Sequence, residues 1–444
     1  MTWDGLPVIS AAMQIVRLSD AQYAAQLDRA SATTSMFDPE IEDRARRILE
    51  AVRTRGDEAL VEFTAKFDGV TLTPEGIPVS RAEILSATVG AEPALRSAVT
   101  EASKNIAAFA RRSRRRDWES RNSHGGKVGE MYQPFQRVGI YIPGGTAPLV
   151  STALMTITLA KVAGCPEIVV CTPCAKDGSV NPALLFAAVQ AGATEIHRIG
   201  GAQAIAAMVY GTATIRPVHK VFGPGNAYVV AAKRQLFGHV AVDLLPGPSE
   251  VLVMADDSAD PRHVAADLLA QAEHGSGHER VWMVTPSARM LKSVEKEISR
   301  QLPQLERSEF AKKVLDANGW LIQVKDIDAA VDLANRLAPE HCELMVRGAR
   351  KLATRIHSAG ALLIGPDSPT VLGDYVAGPS HTLPTGGGGR SFAGLTVDQF
   401  QRRTSLIEYG RPALKKALTA VGEFSRLEGL SAHGRSATIR FDRK

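Results

Sequence analysis

The sequence predicts an α/β fold with two incomplete Rossmann-like parallel-sheet domains plus small N- and C-terminal helical segments. Three observations carry this. Between residues 137 and 365, short apolar runs rich in β-branched residues alternate with stretches of helical periodicity, the pattern of βαβ units. Glycine-rich turns follow three of the runs, at Gly144-Gly145, Gly200-Gly201 and Gly223-Pro224-Gly225. The chain has 444 residues, 45% hydrophobic and 22% charged, enough for more than one core.

The elements follow in order. MQIVRLSD, from Met13, is the first strand-like stretch; the dozen residues before it read as dispensable, which makes Met13 an alternative start. That N-terminus carries an early acid and lacks the apolar core of a signal peptide. Residues 37–67 read as helix, with Asp38 as cap, Pro39 in the first turn, and Ile41, Ala45, Ile48, Leu49 and Val52 at helical spacing. A second helical stretch, 92–116, ends in Arg111, Arg112, Arg114, Arg115 and Arg116. Strands are expected at 137–143, 167–173, 195–200 and 219–223, with helices at 148–163, 181–191 and 202–210. A second block expects strands at 249–256, 280–286, 320–324, 342–346 and 361–365. Its helices are expected from Asp260-Pro261 to about His274, then at 287–301, 326–338 and about 348–358. After about residue 395 the chain reads as helical and polar, with a short last segment near 437–441. The expected domains are an N-terminal arm (1–30), a discontinuous α/β domain (31–136 and 250–394), a second α/β domain (137–249) and a C-terminal segment (395–444).

Several functional classes are set aside. The uncharged run from Val138 to Ala160 is broken by Pro143-Gly144-Gly145 and Pro148, so it does not span a membrane. The expectation is a cytoplasmic protein with no membrane and no nucleic-acid partner. A net charge of +5 over this length is mild, and the arginine cluster lacks interleaved aromatics, which favours a solvated helix face or a subunit contact. Cys171-x-x-Cys174 has no second CxxC to complete four ligands, and Cys171 suits a strand end as a small apolar side chain. Gly223-x-Gly225 lacks the third glycine of a dinucleotide fingerprint.

Four constellations carry chemistry. Gln271 and His274 lie three apart on one helix face, before Gly275; spacing alone fits either a metal site or a capping His with surface neighbours. Glu340-His341, after Ala338-Pro339, is either a general-base pair or a solvated loop pair. Asp374 and His381 share a Gly/Pro-containing loop of the kind that carries sites. Glu428 and His433 close the set. Together they form an N/O donor set without thiolates, compatible with Zn²⁺ or Mn²⁺. Tyr141, Gln203 and Asn226, on or just beyond strand ends, are candidate ligand contacts.

These segments resemble one family. LPGPSEV (245–251), QAEHG (271–275), APEH (338–341), GDYVAGPSH (373–381) and EGLSAH (428–433) are similar to histidinol dehydrogenase, as are GIYIPGG (139–145), GGAQAIAA (200–207) and GPGNAYV (223–229). The resemblance covers about residues 13–441. It implies a zinc- and NAD-dependent enzyme that oxidises L-histidinol to L-histidine through L-histidinaldehyde with two NAD⁺. It makes Gln271, His274, Asp374 and His433 the zinc ligands and Glu340 and His341 the acid/base pair. Ser249, His381 and Glu428 would contact substrate, together with His341 and the zinc ligands. Tyr141, Gln203 and Asn226 would contact NAD. It also implies a homodimer with shared sites, Glu428 and His433 coming from the other chain. Pro379-Ser380 and Thr382 depart from the family pattern around His381. The alternative is a paralogue acting on another polar alcohol, such as a sulfonated diol; Glu428 argues for histidinol.

Overall fold

A computed structural model describes residues 13–32, 38–144, 148–274 and 276–442. The first dozen residues, expected to be dispensable, together with Gly145 and Gly275, lie outside them. Two parallel sheets organise the chain. The five-stranded sheet runs Glu195–His197, Glu167–Cys171, Arg137–Tyr141, Lys220–Phe222, Ala241–Val242. The six-stranded sheet runs Gln14–Val16, Gly319–Gln323, Arg280–Thr285, Glu250–Ala255, His341–Met345, Ala361–Ile364. In each, apart from the edge strand Gln14–Val16, strand order starts at a central strand, moves one way, then returns to continue on the other side. Each sheet therefore has a switch point where the order reverses.

The strands are buried on both faces, which is why they read as continuous apolar runs. In the five-stranded sheet Ile140, Ile168 and Val170 face one core, and Tyr141, Val169, Cys171 and Val221 the other. In the six-stranded sheet Leu252, Met254, Trp282 and Leu344 face one core, and Val251, Val253, Met283 and Leu321 the other. The cysteines are free, and Cys171 is fully buried with its thiol pushed up to about 12, inert as expected of a packing residue. Among the described residues no helix is long and apolar enough to cross a membrane.

Two expectations need correction. The 37–67 region is two helices, Pro39–Arg55 and Asp57–Asp68, because Gly56 takes φ +55 between them. The chain after 395 is not simply helical: Gln401–Glu408 is a strand, paired antiparallel with Lys127–Pro134, which also pairs with Trp118–Arg121. Its polar, arginine-rich alternation (Arg402, Arg403, Glu408) disguised a strand with little burial on either face. The chain then ends in two helices, Arg411–Leu427 and Ser431–Thr438, which pack chiefly on each other.

The loop after Lys220–Phe222 is fixed from beneath. Lys233 and Asp243 form an ion pair with side chains 1% and 0% exposed. Lys233 Nζ also donates to the carbonyls of Gly223 (2.9 Å) and Leu244 (2.7 Å), and the Gly223 N–H donates to Asp243 Oδ2 (2.8 Å). Gly223 takes φ +112, and a Cβ there would lie 2.0 Å from the Tyr141 carbonyl oxygen, so no other residue fits between the two central strand ends.

Candidate active site

Helix Ile327–Leu337 stops at Ala338, which takes φ +48; among the described residues it has the only positive φ outside glycine. This turn feeds Pro339 and then Glu340 and His341 into strand His341–Met345. Both side chains are buried, each 5% exposed. They are not the solvated loop pair that the sequence left open.

His341 Nδ1 lies 3.2 Å from the backbone carbonyl of Glu250. A carbonyl only accepts, so Nδ1 carries the proton and Nε2 is left with a free lone pair. Nε2 faces Asp374 Oδ1 at 3.7 Å. Burial pushes the imidazole below its ordinary pKa, against the opposing pull of Asp374, which keeps the ring neutral. Glu340 Oε2 accepts from the Glu250 N–H at 2.8 Å, and its carboxyl is also hydrogen-bonded by Ser249. Its own burial, reinforced by the charges of Glu250 and Asp374, raises its pKa well above the carboxylate range. Glu250 is 1% exposed and pushed up to about 7 by burial, although Arg280 lies 3.6 Å away.

Gln271 is buried in the last turn of helix Pro261–Ala272. The helix ends two residues before His274, so His274 sits in the turn beyond it and is exposed. Its Nδ1 lies 3.1 Å from the Gln271 carbonyl and 3.4 Å from Gln271 Nε2. The carbonyl contact places the proton on Nδ1 and leaves Nε2 open as a donor to a cation. Asp374 lies on the short helix Thr370–Tyr375. Its backbone carbonyl accepts from His381 Nδ1 at 2.9 Å, and His381 Nε2 lies 3.2 Å from Thr152 Oγ1. His274, Asp374 and His381 all act electrostatically on His341, so the four side chains share one place.

Glu340-His341 was expected just before a strand, and Glu250 and His341 do begin their strands, at the amino end of the six-stranded sheet. Thr152 stands at the start of helix Val150–Ala163, which follows the carboxyl end of strand Arg137–Tyr141. The Thr152–His381 contact thus joins the carboxyl end of one sheet to the amino end of the other. Thr152 and Glu250 were not singled out in the sequence, where they fall inside the expected helix 148–163 and strand 249–256.

The donors present suit a borderline cation in kind: imidazole, amide and carboxylate oxygen. Among the described residues no three His, Cys, Asp or Glu side chains gather to hold a metal. One chain brings Gln271 and His274 into contact, and His274 and Asp374 both act on His341, a donor set open for a further ligand. Glu428 and His433 are exposed on the C-terminal helices, apart from this group.

A cavity of about 1150 Å³ opens at the carboxyl ends of the five-stranded sheet, at its switch point. Tyr141, Gln203 and Asn226 all line it. The Tyr141 hydroxyl accepts from the Gly201 N–H at 3.1 Å, and the Asn226 side chain caps helix Ala227–Leu236. Gln203 is 1% exposed, and neither Nε2 nor Oε1 has a hydrogen-bond partner among the described residues. A buried amide left unsatisfied beside a cavity fits a polar ligand there, and a dinucleotide suits both its position and the cavity's size.

Comparison with known proteins agrees with the resemblance. The profile of the histidinol dehydrogenase family matches residues 31–441. The chain is 47% identical over 397 residues to histidinol dehydrogenase of Rhizobium meliloti (strain 1021), covering 89% of this chain and 91% of that one. It is 43% identical over 409 residues to histidinol dehydrogenase of Heliobacterium mobile, covering 92% and 96%. The crystal structure of histidinol dehydrogenase from Elizabethkingia anophelis superposes with a TM-score of 0.91 at 34% identity, over 97% of this chain and 98% of that one. An acetylating aldehyde dehydrogenase from Geobacillus thermoglucosidasius shares the fold alone, with a TM-score of 0.50 at 15% identity over 87% of this chain and 96% of that one.

Proposed function

The chain belongs to the histidinol dehydrogenase family, and from that premise we propose that it oxidises L-histidinol to L-histidine through L-histidinaldehyde, with zinc and two NAD⁺. The observation that carries this reading is the buried His341, with its Nε2 lone pair free and turned toward Asp374, beside a Glu340 of raised pKa.

Gln271, His274 and Asp374 would hold the zinc, with His433 from a second copy of the chain; Tyr141, Gln203 and Asn226 would hold the NAD⁺. Bound zinc supplies a positive charge that orients the substrate's amine and imidazole nitrogens, and NAD⁺ supplies the hydride acceptor for each oxidation. Ser249, His381 and Glu428 would contact the substrate. His341 Nε2 takes the hydroxyl proton as hydride leaves the carbinol carbon, and passes it to solvent afterwards. Glu340, a stronger base than a solvated carboxylate once it is ionised, draws a proton from water as the water adds to the aldehyde. His341 then takes a hydroxyl proton from the hydrated aldehyde as the second hydride leaves, which yields the carboxylic acid. Burial of both groups excludes competing water and holds them for these transfers.

A homodimer with shared sites is part of the proposal. What supports it is the partial donor set in one chain together with the C-terminal helices. These present Glu428 and His433 at the surface beside the exposed apolar side chains Phe424, Leu427, Leu430 and Ile439. The test is stoichiometric: zinc-loaded protein with limiting L-histidinol and excess NAD⁺ should form two NADH and one histidine per histidinol. No NADH from histidinol, with turnover of another polar alcohol, overturns the substrate assignment.

A further inference from the structure

The cavity at the switch point of the five-stranded sheet contains more unsatisfied polarity than Gln203 alone. Thr172 Oγ1 and Asp68 Oδ2 are also buried without a hydrogen-bond partner among the described residues, and both residues line the same cavity. Asp68 differs from the others because an ionised carboxylate only accepts, so its missing partner is a donor. No cation in the cavity relieves it: burial alone acts on its carboxyl and raises its pKa. Arg44, Arg47, Lys66 and Lys176 line the cavity too, but none of them acts on Asp68; Arg44 and Arg47 are paired with Glu40 and Asp43.

Its location is informative. In doubly wound sheets that bind dinucleotides, an acid at the end of the second strand takes the hydroxyls of the adenosine ribose. Here the second strand, Glu167–Cys171, ends in Thr172-Pro173-Cys174 and offers no acid. Asp68 is the last residue of helix Asp57–Asp68, outside the sheet. Its charge nevertheless reaches both Cys174 and Tyr141, just beyond the second strand and at the end of the first. A carboxylate thus stands at the expected place although it comes from a distant part of the chain.

We propose that Asp68 accepts hydrogen bonds from the vicinal hydroxyls of the adenosine ribose, and that its charge makes the site select NAD⁺ over the 2′-phosphorylated cofactor. The assignment rests on the NAD⁺ reading above. A ribose diol supplies the donors that Asp68 lacks. A 2′-phosphate would set further negative charge against a carboxylate with no counterion, the repulsive element that specificity needs.

Calorimetric titration of the full-length protein with NAD⁺, NADP⁺ and 2′-deoxy-NAD⁺ tests this. The wild type should prefer NAD⁺ and bind 2′-deoxy-NAD⁺ about tenfold more weakly. Asp68→Asn should bind NAD⁺ about tenfold more weakly, narrow the preference over NADP⁺ by at least that factor, and no longer distinguish the deoxy analogue. An Asp68→Asn protein that binds NAD⁺ and keeps the wild-type ratio of NAD⁺ to NADP⁺ affinity overturns the assignment and leaves the cofactor reading standing. A wild type that binds neither nucleotide overturns both. The comparison of NAD⁺ with its deoxy analogue on the wild type needs no substitution, so a folding defect in the variant cannot mask the answer.

Discussion

Replacing Lys233 with Met removes an ammonium whose hydrogen bonds all go to buried groups. It donates to the carbonyls of Gly223 and Leu244, and it neutralises Asp243, whose side chain is 0% exposed. Met matches the length of the aliphatic stem but leaves the carboxylate with the Gly223 N–H as its one hydrogen bond among the described residues, beside the charge of Lys220. Breaking one half of a buried pair costs about 3–5 kcal/mol. Urea denaturation of Lys233→Met should therefore show a loss of about 3–5 kcal/mol. The double variant Lys233→Met/Asp243→Leu should recover most of it, since no charge is then stranded. Because the pair anchors the loop leading to Asn226, the single variant should also bind NAD⁺ more weakly. A single-variant cost below about 1 kcal/mol, or a double variant less stable than the single, would refute the reasoning.

Other expectations concern the site and its titration. His341→Ala should lower the rate of both oxidations by about 10²–10⁴, the range for a lost general base, with little change in NAD⁺ binding; pre-steady-state NADH formation from histidinol and from histidinaldehyde reports each step. Glu340→Gln should slow the aldehyde step more than the alcohol step and accumulate bound aldehyde in rapid-quench samples; an equal effect on both steps would contradict the water-activating role. Glu250 is raised from the ordinary 4.5 to about 7, so the folded state binds its proton more tightly than the unfolded chain. That contribution is fully present below pH 4.5 and fades as pH rises toward 7, a loss of about 3 kcal/mol. Glu250→Gln should flatten this decline, as measured by denaturation at pH 5 and pH 8. Finally, His341→Ala and His433→Ala proteins, each inactive alone, should regain part of their activity in mixed dimers; mixed dimers that form and stay inactive would contradict a shared site.

The legible parts of the fold were those with strong local periodicity. The strands at 137–143, 249–256 and 280–286 stood out because burial on both faces makes them continuous apolar runs. Strand Gln401–Glu408 did not, because its side chains are mostly exposed and its partner, Lys127–Pro134, lies some 270 residues away in sequence. Gln271 with His274, and Glu340 with His341, were visible as local groups. Glu250 acts through its backbone carbonyl and N–H, which leave no mark on residue type.

The sequence by itself determined the α/β class and most of the parallel strands, and through the motifs that resemble histidinol dehydrogenase it pointed to the family. Its candidate donor set is one of nitrogen and oxygen groups without a thiolate set. Tertiary structure decided that Glu340 and His341 are buried and that His274, Asp374 and His381 act on His341 from distant segments. It also decided the protonation of His341, because the Glu250 carbonyl that sets the tautomer lies 91 residues away in sequence. The physical reason is the same in both cases. Local side-chain patterns encode burial and turns, whereas the proton affinity and orientation of a catalytic group depend on backbone dipoles and low-dielectric surroundings that distant segments bring together.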